Sequence, residues 1–502
     1  MSDDTNYPDL ASDAVGGAVV WANDEFFASK DNLVKVSEPV WKEGKYTDRG
    51  KWMDGWETRR RREPGHDRCV VRLGLPGILQ QVDVDTSHFD GNQPEYCTIE
   101  ACHVDGDPDP EELAENDEIW TEILGESPLD GDSHNVFGID GDQTFTHLRF
   151  HIYPDGGVAR LRAYGEAMPE LDRLSRVGEY DVAGVENGGR IVDFNDEHFG
   201  KASNLLLPTR PQNMGEGWET RRRRDDGHDW VAVRLGAASE IRRVVVDTEH
   251  FKGNYPAACA LEGVRVPDGE GRPPQDANWK ILLEKSKLRA HTRNTFEDSL
   301  HDGGPYTHVR LRIYPDGGVA RLRIYGQFSE SGWLDRRLRE LNALPTRQAH
   351  EKLLACCGSR NWTDAMVENR PFGELDELLD TAERVWHELE TDDWLEAFAA
   401  HPRIGEDADE GDQTEEGEAF SEEEQAGAEE IGDATERRLR ELNEQYYDKF
   451  GFIFIVFATG KSAEEMLEIL EKRLENDRET EIENAASEQL EITKLRLRKL
   501  VS

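Results

Sequence analysis

The stretch Gly55-Trp56-Glu57-Thr58-Arg59-Arg60-Arg61-Arg62, followed two residues later by Gly65-His66-Asp67, occurs again 162 residues on. Its second form is Gly217-Trp218-Glu219-Thr220-Arg221-Arg222-Arg223-Arg224 with Gly227-His228-Asp229. A recurrence this long is a duplicated unit, so the first two-thirds of the chain reads as two copies of one domain. The segments that open each copy, from Asp9-Leu10-Ala11 and from Asp181-Val182-Ala183, stand 172 residues apart. Copy one therefore carries ten extra residues before its arginine run, and residues 38–51 read as a loop. A length of 502 residues suits about three domains, each able to bury a core. The expected division is 1–170, 171–332 and 333–502.

Within each copy the apolar runs are short and β-branched. Val70-Val71-Arg72-Leu73 and Val82-Asp83-Val84-Asp85-Thr86 have counterparts in Val231-Ala232-Val233-Arg234-Leu235 and Val244-Val245-Val246-Asp247-Thr248, and all read as strands. Each copy closes on two strands around Pro154-Asp155-Gly156-Gly157 or Pro315-Asp316-Gly317-Gly318, a pattern that predicts a hairpin. Alternation places Val309, Leu311 and Ile313 on one face and Arg310 and Arg312 on the other. Many short strands with turn signals indicate tandem all-β sandwiches of jelly-roll type.

From Trp333 the texture is helical. Leu375, Leu378, Leu379, Ala382, Val385, Trp386 and Leu389 share one helix face. The last third reads as an all-α domain, interrupted at 406–424 by a solvated acidic loop. The run Phe450 to Phe457 is too short to span a bilayer and reads as core.

Acidic residues outnumber basic ones 105 to 60, a formal charge of −45. Aromatic residues and ordered motifs persist throughout, so the acidity belongs to folded surfaces and not to disorder. It argues against nucleic acid and anionic membranes as partners and suits a salt-rich cytoplasm, where ions screen the self-repulsion. There is neither a signal-peptide pattern nor a transmembrane run, so a cytoplasmic location is expected. Cys69, Cys97, Cys102, Cys259, Cys356 and Cys357 show neither disulfide-scaffold density nor zinc-ribbon spacing and read as reduced and structural.

Titratable residues that recur are Glu57/Glu219, His66/His228, Asp67/Asp229, Asp85/Asp247, His88/His250 and His147/His308. Duplication alone explains recurrence, and the arginines read equally well as ion-paired surface or as forks for a carboxylate. His66, His88, His228 and His250 are the catalytic candidates, with structural roles left open beside them. Arg59 and Arg221 are the candidate substrate-binding arginines.

These motifs, with Val-Asp-Thr-x-His-Phe-x-Gly-Asn and Tyr-Pro-Asp-Gly-Gly-Val-Ala-Arg-Leu-Arg, resemble allantoicase across residues 9–328. The resemblance implies hydrolysis of allantoate to ureidoglycolate and urea. It leaves open which copy carries turnover and whether a divalent metal is needed. A rival reading makes the sandwiches ligand-binding modules.

In the last third, Ala400-His401-Pro402-Arg403-Ile404-Gly405, Ser421-Glu422-Glu423-Glu424-Gln425, Phe450-Gly451-Phe452 and Gly460-Lys461-Ser462 resemble 2-oxo-4-hydroxy-4-carboxy-5-ureidoimidazoline (OHCU) decarboxylase. Taken by position, His401 follows a helix and precedes proline, where the helix dipole favours its cationic form. The resemblance implies His401 as acid-base group, oriented by Glu424. It implies substrate contacts from Pro402, Ser421, Glu422, Glu423, Gln425, Phe452, Ile453, Phe454, Ile455, Val456 and Arg473, and no cofactor. The expected partners are small ureides, and a homo-oligomer is compatible with the sequence without being required by it.

Overall fold

The computed structural model describes residues 7–266, 271–301, 303–401, 433–459 and 461–502. The chain divides into two compact units, Met1–Arg336 and Arg337–Ser502.

The first unit holds two sheet assemblies of like topology. In copy one, Ala18–Ala22, Asp67–Asp85, Thr144–Tyr153, Tyr96–Cys102 and Thr121–Pro128 pair in that order, while Arg160–Ala167 and His134–Gly138 pair with the far part of Asp67–Asp85. The two runs expected as separate strands are thus one bent strand of 19 residues. Its first part faces Thr144–Tyr153 and its last part faces Arg160–Ala167, with the register broken between Arg72 and Gly77. Gly74 permits the bend, since a Cβ there would lie 2.4 Å from the Gly17 nitrogen. Copy two repeats the device in Asp229–Asp247.

The shared strand overturns the hairpin expectation. Thr144–Tyr153 and Arg160–Ala167 do not pair with each other; they lie on successive parts of Asp67–Asp85. The Pro154 to Gly157 turn arches between layers, and Gly157–Val158 pairs instead with Trp56–Glu57. Alternation identifies a strand and its buried face, but not its neighbour.

Cys69, Val71, Val82, Val84, Leu148, Phe150, Ile152 and Leu161 meet in one core around fully buried Trp56. Trp218 occupies the same place in copy two, where Val309, Leu311 and Ile313 are buried. Both indole N–H groups donate to backbone carbonyls, of Asp24 and Asp196. Leaving a buried indole unpaired would cost roughly 1–3 kcal/mol. All six cysteines are buried and free of disulfides.

The second unit is helical. Leu375–Glu388 buries Leu378, Leu379, Ala382, Val385 and Trp386, the stripe its 3.6-residue period predicts. Arg478–Leu500 packs against it and against Thr346–Cys357, and the Trp386 indole donates to the Ala486 carbonyl at 3.0 Å. Ser462 begins Ala463–Arg473 with a reciprocal capping box to Glu465. Phe450, Phe452, Phe454, Ile455 and Val456 are buried, as an apolar run this short requires.

Candidate functional sites

The repeated motifs of each copy converge at one end of its sandwich. Phe89 lies against Gly157, where a Cβ would come within 2.0 Å of its ring, so only glycine lets the arch close over the loop. The Asn92 carbonyl accepts from Gly157 N–H at 2.9 Å, and Thr58 accepts from Gly156 N–H at 3.2 Å. Asn92 Nδ2 donates to Glu57 Oε1 at 3.0 Å. Glu57, His88, Asn92, Lys51 and Trp41 line a cavity of about 410 Å³. Burial raises the Glu57 carboxyl above its ordinary range.

His88 sits at φ 70° and His250, its twin, at φ 71°. Left-handed backbone is costly for a residue with a Cβ, and its presence at both equivalent histidines marks an over-determined loop. His88 Nε2–H donates to the Pro39 carbonyl at 3.4 Å and His250 Nε2–H to that of Pro211 at 3.0 Å. Each ring then keeps a lone pair on Nδ1. In copy two, Asn254 donates to Glu219 as Asn92 does to Glu57.

His66 is elsewhere, on the outer face of the sheet. Its Nε2 lies 2.8 Å from His151 Nδ1, and His151 Nε2 lies 2.7 Å from Glu100 Oε2. Arg149 completes the row with Nε 2.6 Å from Glu100 and Nη1 2.7 Å from Asp117. Burial pushes His151 down to about 4, and burial with Arg68 and Arg61 lowers His66. In copy two the place of His151 is taken by Arg312, whose Nε donates to His228 Nε2 at 2.9 Å and whose Nη1 meets Glu262 at 2.8 Å. Burial and Arg312 lower His228.

The structure therefore brings His88 together with Glu57 and places His66 in a separate row. Arg59 and Arg221 are exposed and spend their forks on Asp24 and Asp196. Sequence reasoning missed Glu100, His151 and Arg312. Their signal was present in the polar face alternating with Leu148, Phe150 and Ile152, and in the recurrence of Glu100 as Glu262.

In the helical unit, His401 follows Thr391–Ala399, its N–H donating to the Phe398 carbonyl at 3.2 Å. The expectation of a cationic ring is overturned. Burial and the Arg496 guanidinium push it down to about 3, against the opposing effect of Gln489, so at neutral pH the imidazole is uncharged. Desolvation here outweighs the helix dipole, worth typically 0.3–1 kcal/mol near a surface. Among the described residues, His401 Nε2 has no hydrogen-bond partner. Pro402, Ser421, Glu422, Glu423, Glu424 and Gln425 lie outside the described residues.

Arg473 is buried, its Nε on Glu481 and its Nη1 on the Ile455 carbonyl at 2.7 Å. Tyr446 and Asn476 also donate to Glu481, which makes that carboxylate the hub holding the Phe452 to Val456 segment. The remaining Arg473 nitrogen, Nη2, has no partner among the described residues. Among these residues no group of three His, Cys, Asp or Glu side chains is gathered for a metal, and no helix is long and apolar enough to cross a membrane.

The allantoicase repeat model matches residues 8–168 and 180–329, and the OHCU decarboxylase model matches residues 342–498. A Pseudomonas aeruginosa protein named "Probable allantoicase" is 49% identical over 324 residues, covering 64% of this chain and 96% of its own. The crystal structure of allantoicase from Saccharomyces cerevisiae is 33% identical with a TM-score of 0.55, covering 64% of this chain and 93% of its own. A crystal structure of OHCU decarboxylase with (S)-allantoin is 36% identical over 30% of this chain and 97% of its own, at a TM-score of 0.26. Both sandwiches match the enzyme's own repeat, so the reading of them as binding modules is not favoured. The chain belongs to the allantoicase family, carries an OHCU decarboxylase domain after its two repeats, and is a bifunctional enzyme of purine catabolism.

Proposed function

We propose that urea is released from allantoate at the loop end of the sandwiches, at Glu57, His88 and Asn92 and at Glu219, His250 and Asn254. The observation that carries this reading is the convergence of three repeated motifs on a histidine held at positive φ in both copies. Expelling urea requires a proton on the leaving nitrogen and removal of one from water. In copy one a carboxyl that burial raises above its ordinary range suits the first task, and Nδ1 of His88 the second. Lys51, lying 3.6 Å over the Trp41 ring, offers a cation to the substrate carboxylate. The test is urea release by the full-length protein, with and without chelator. Glu57→Gln with Glu219→Gln should lose about 10²- to 10⁴-fold in kcat. Full turnover in that double variant removes the assignment.

For decarboxylation the proposed group is His401 acting as a neutral imidazole. Loss of carbon dioxide leaves an electron pair that the imidazoline ring delocalises onto its imine nitrogen, which takes up a proton. His401 then accepts the C4 hydroxyl proton of the resulting enol and returns a proton to the neighbouring carbon on one face. Arg473 and the segment it holds shape the pocket, and this chemistry requires no cofactor. His401→Ala should abolish most production of optically active allantoin, followed by circular dichroism, while urea release persists. Small ureides are the proposed partners, and the charge of −45 supports a salt-rich cytoplasm as the setting.

A further inference from the structure

Arg160 and Arg321 are equivalent and fully or nearly fully buried. Their backbone cradles match. Arg160 donates from Nε to the Ser37 carbonyl at 2.9 Å and from Nη1 to the carbonyls of Asp54 and Ala159 at 3.0 and 2.7 Å. Arg321 donates from Nε to Thr209 at 2.8 Å and from Nη1 to Glu216 and Ala320 at 2.6 and 2.7 Å. The difference lies at Nη2. In copy one it meets the Asp54 carboxylate at 3.0 Å, which the Val40 N–H steadies at 3.0 Å from the extra loop. Copy two has no counterpart of that loop. Its Glu216 carboxylate turns away to accept from Gln212 N–H and Asn213 Nδ2, both at 2.9 Å.

Among the described residues, Arg321 therefore has no carboxylate within ion-pair distance, whereas the buried Arg149, Arg160, Arg162, Arg336 and Arg473 each have one. A buried guanidinium without a counter-ion is an expensive arrangement unless an anion reaches it. Burial and the neighbouring Arg323 already pull it down to about 10. Arg321 lines a cavity of about 600 Å³ between the two copies, within the size range of small-molecule sites. Asp83, Asp85 and Glu38 line the same cavity and supply acceptors for N–H groups.

We infer that this cavity binds a small ureido-substituted carboxylate, its carboxylate on Arg321 as that of Asp54 lies on Arg160 and its ureido N–H groups on the acidic wall. The cavity shares no lining residue with the loop-end cavity, so this is a second site. Substrate allantoate and product ureidoglycolate both have the required chemistry.

The test is isothermal titration of the full-length protein with N-carbamoylglycine, a stable ureido carboxylate, with neutral methylurea as control. The wild type should bind the acid in preference to methylurea. Arg321→Gln should lose one site per chain, and kcat for urea release should stay within twofold. Asn213→Asp, at an exposed position, keeps the buried arginine. It should weaken the same site about tenfold, by its own charge and by releasing Glu216 toward Arg321. Competition by allantoate against ureidoglycolate then identifies the natural source. The inference is overturned if both variants leave the isotherm unchanged, if methylurea binds as well as the acid, or if kcat collapses together with binding. Should Arg321→Gln not fold, Asn213→Asp alone decides. Failure of the loop-end assignment would appear in the Glu57 variants and not here.

Discussion

In copy one the histidine of the Gly-His-Asp motif leans on another histidine, and in copy two it leans on an arginine. The change inverts the ring. Although burial alone would raise it, hydrogen bonds from Arg149 and His151 hold the Glu100 carboxyl below its ordinary range. An ionised Glu100 only accepts, so neutral His151 donates to it from Nε2 and accepts at Nδ1 from His66 Nε2–H. His66 is left with a lone pair on Nδ1. Arg312 can only donate, so His228 accepts at Nε2 and carries its proton on Nδ1. One sequence motif therefore presents an acceptor in copy one and a donor in copy two. The Asp54 and Glu216 pair shows the same divergence within one backbone frame. Duplication preserved the scaffold while single substitutions redirected its polar groups.

The largest expected effect follows removal of the arginine at the centre of each row. Arg149 has a side-chain exposure of 4% and Arg310 of 28%. Arg149→Ala removes a buried cation from its carboxylates and should cost about 3–5 kcal/mol in denaturant unfolding, whereas Arg310→Ala should cost clearly less because Arg310 is more exposed and Arg312 still holds Glu262 at 2.8 Å. Equal losses would show that the two rows are energetically alike. Next in size, Asp54→Ala leaves Arg160 buried and unpaired and should destabilise by about 3 kcal/mol. Glu216→Ala, which releases only loop hydrogen bonds, should stay within about 1 kcal/mol.

His151 is depressed to about 4 in the folded protein against an ordinary 6.5. The unfolded chain therefore binds more protons between these values, so this contribution is complete above pH 6.5 and is lost as pH falls toward 4. Its slope approaches about 1.4 kcal/mol per pH unit. His151→Arg should flatten the wild-type stability profile in that window. Arg312→Gln should instead let His228, which burial and Arg312 lower, rise toward its ordinary value, leaving the larger His151 contribution in place. The smallest effect is spectroscopic. In ¹⁵N spectra His66 and His228 should show opposite tautomers, and His151→Arg should convert His66 to the form of His228 with little change in melting temperature.

Much of this was legible in the residues. The 162-residue recurrence gave the duplication, alternation gave the buried faces of Val309, Leu311 and Ile313, and the helical period gave the stripe from Leu375 to Leu389. Strand partners were not legible, because alternation is the same whichever strand lies alongside; hence the false hairpin at Pro154. Charge states were not legible either. His401 follows a helix in sequence, but its titration depends on Arg496 and on burial nearly a hundred residues of chain away. The pairing of Glu57 with Asn92 likewise depends on loops that meet only after the sandwich closes.

The bent strand Asp67–Asp85 has a consequence for how the protein is made. It appears early in synthesis, yet its partners Thr144–Tyr153 and Arg160–Ala167 come some 60 to 100 residues later. At about 5–20 residues per second, its apolar edge waits on the order of 4–16 s before both neighbours leave the ribosome. Copy two imposes a second wait with Asp229–Asp247. Neither layer can form first and await the other, because one strand belongs to both. Each nascent copy therefore passes through an interval in which a long β-branched strand is unpaired, the kind of edge on which chaperones act and on which two unfinished chains can join.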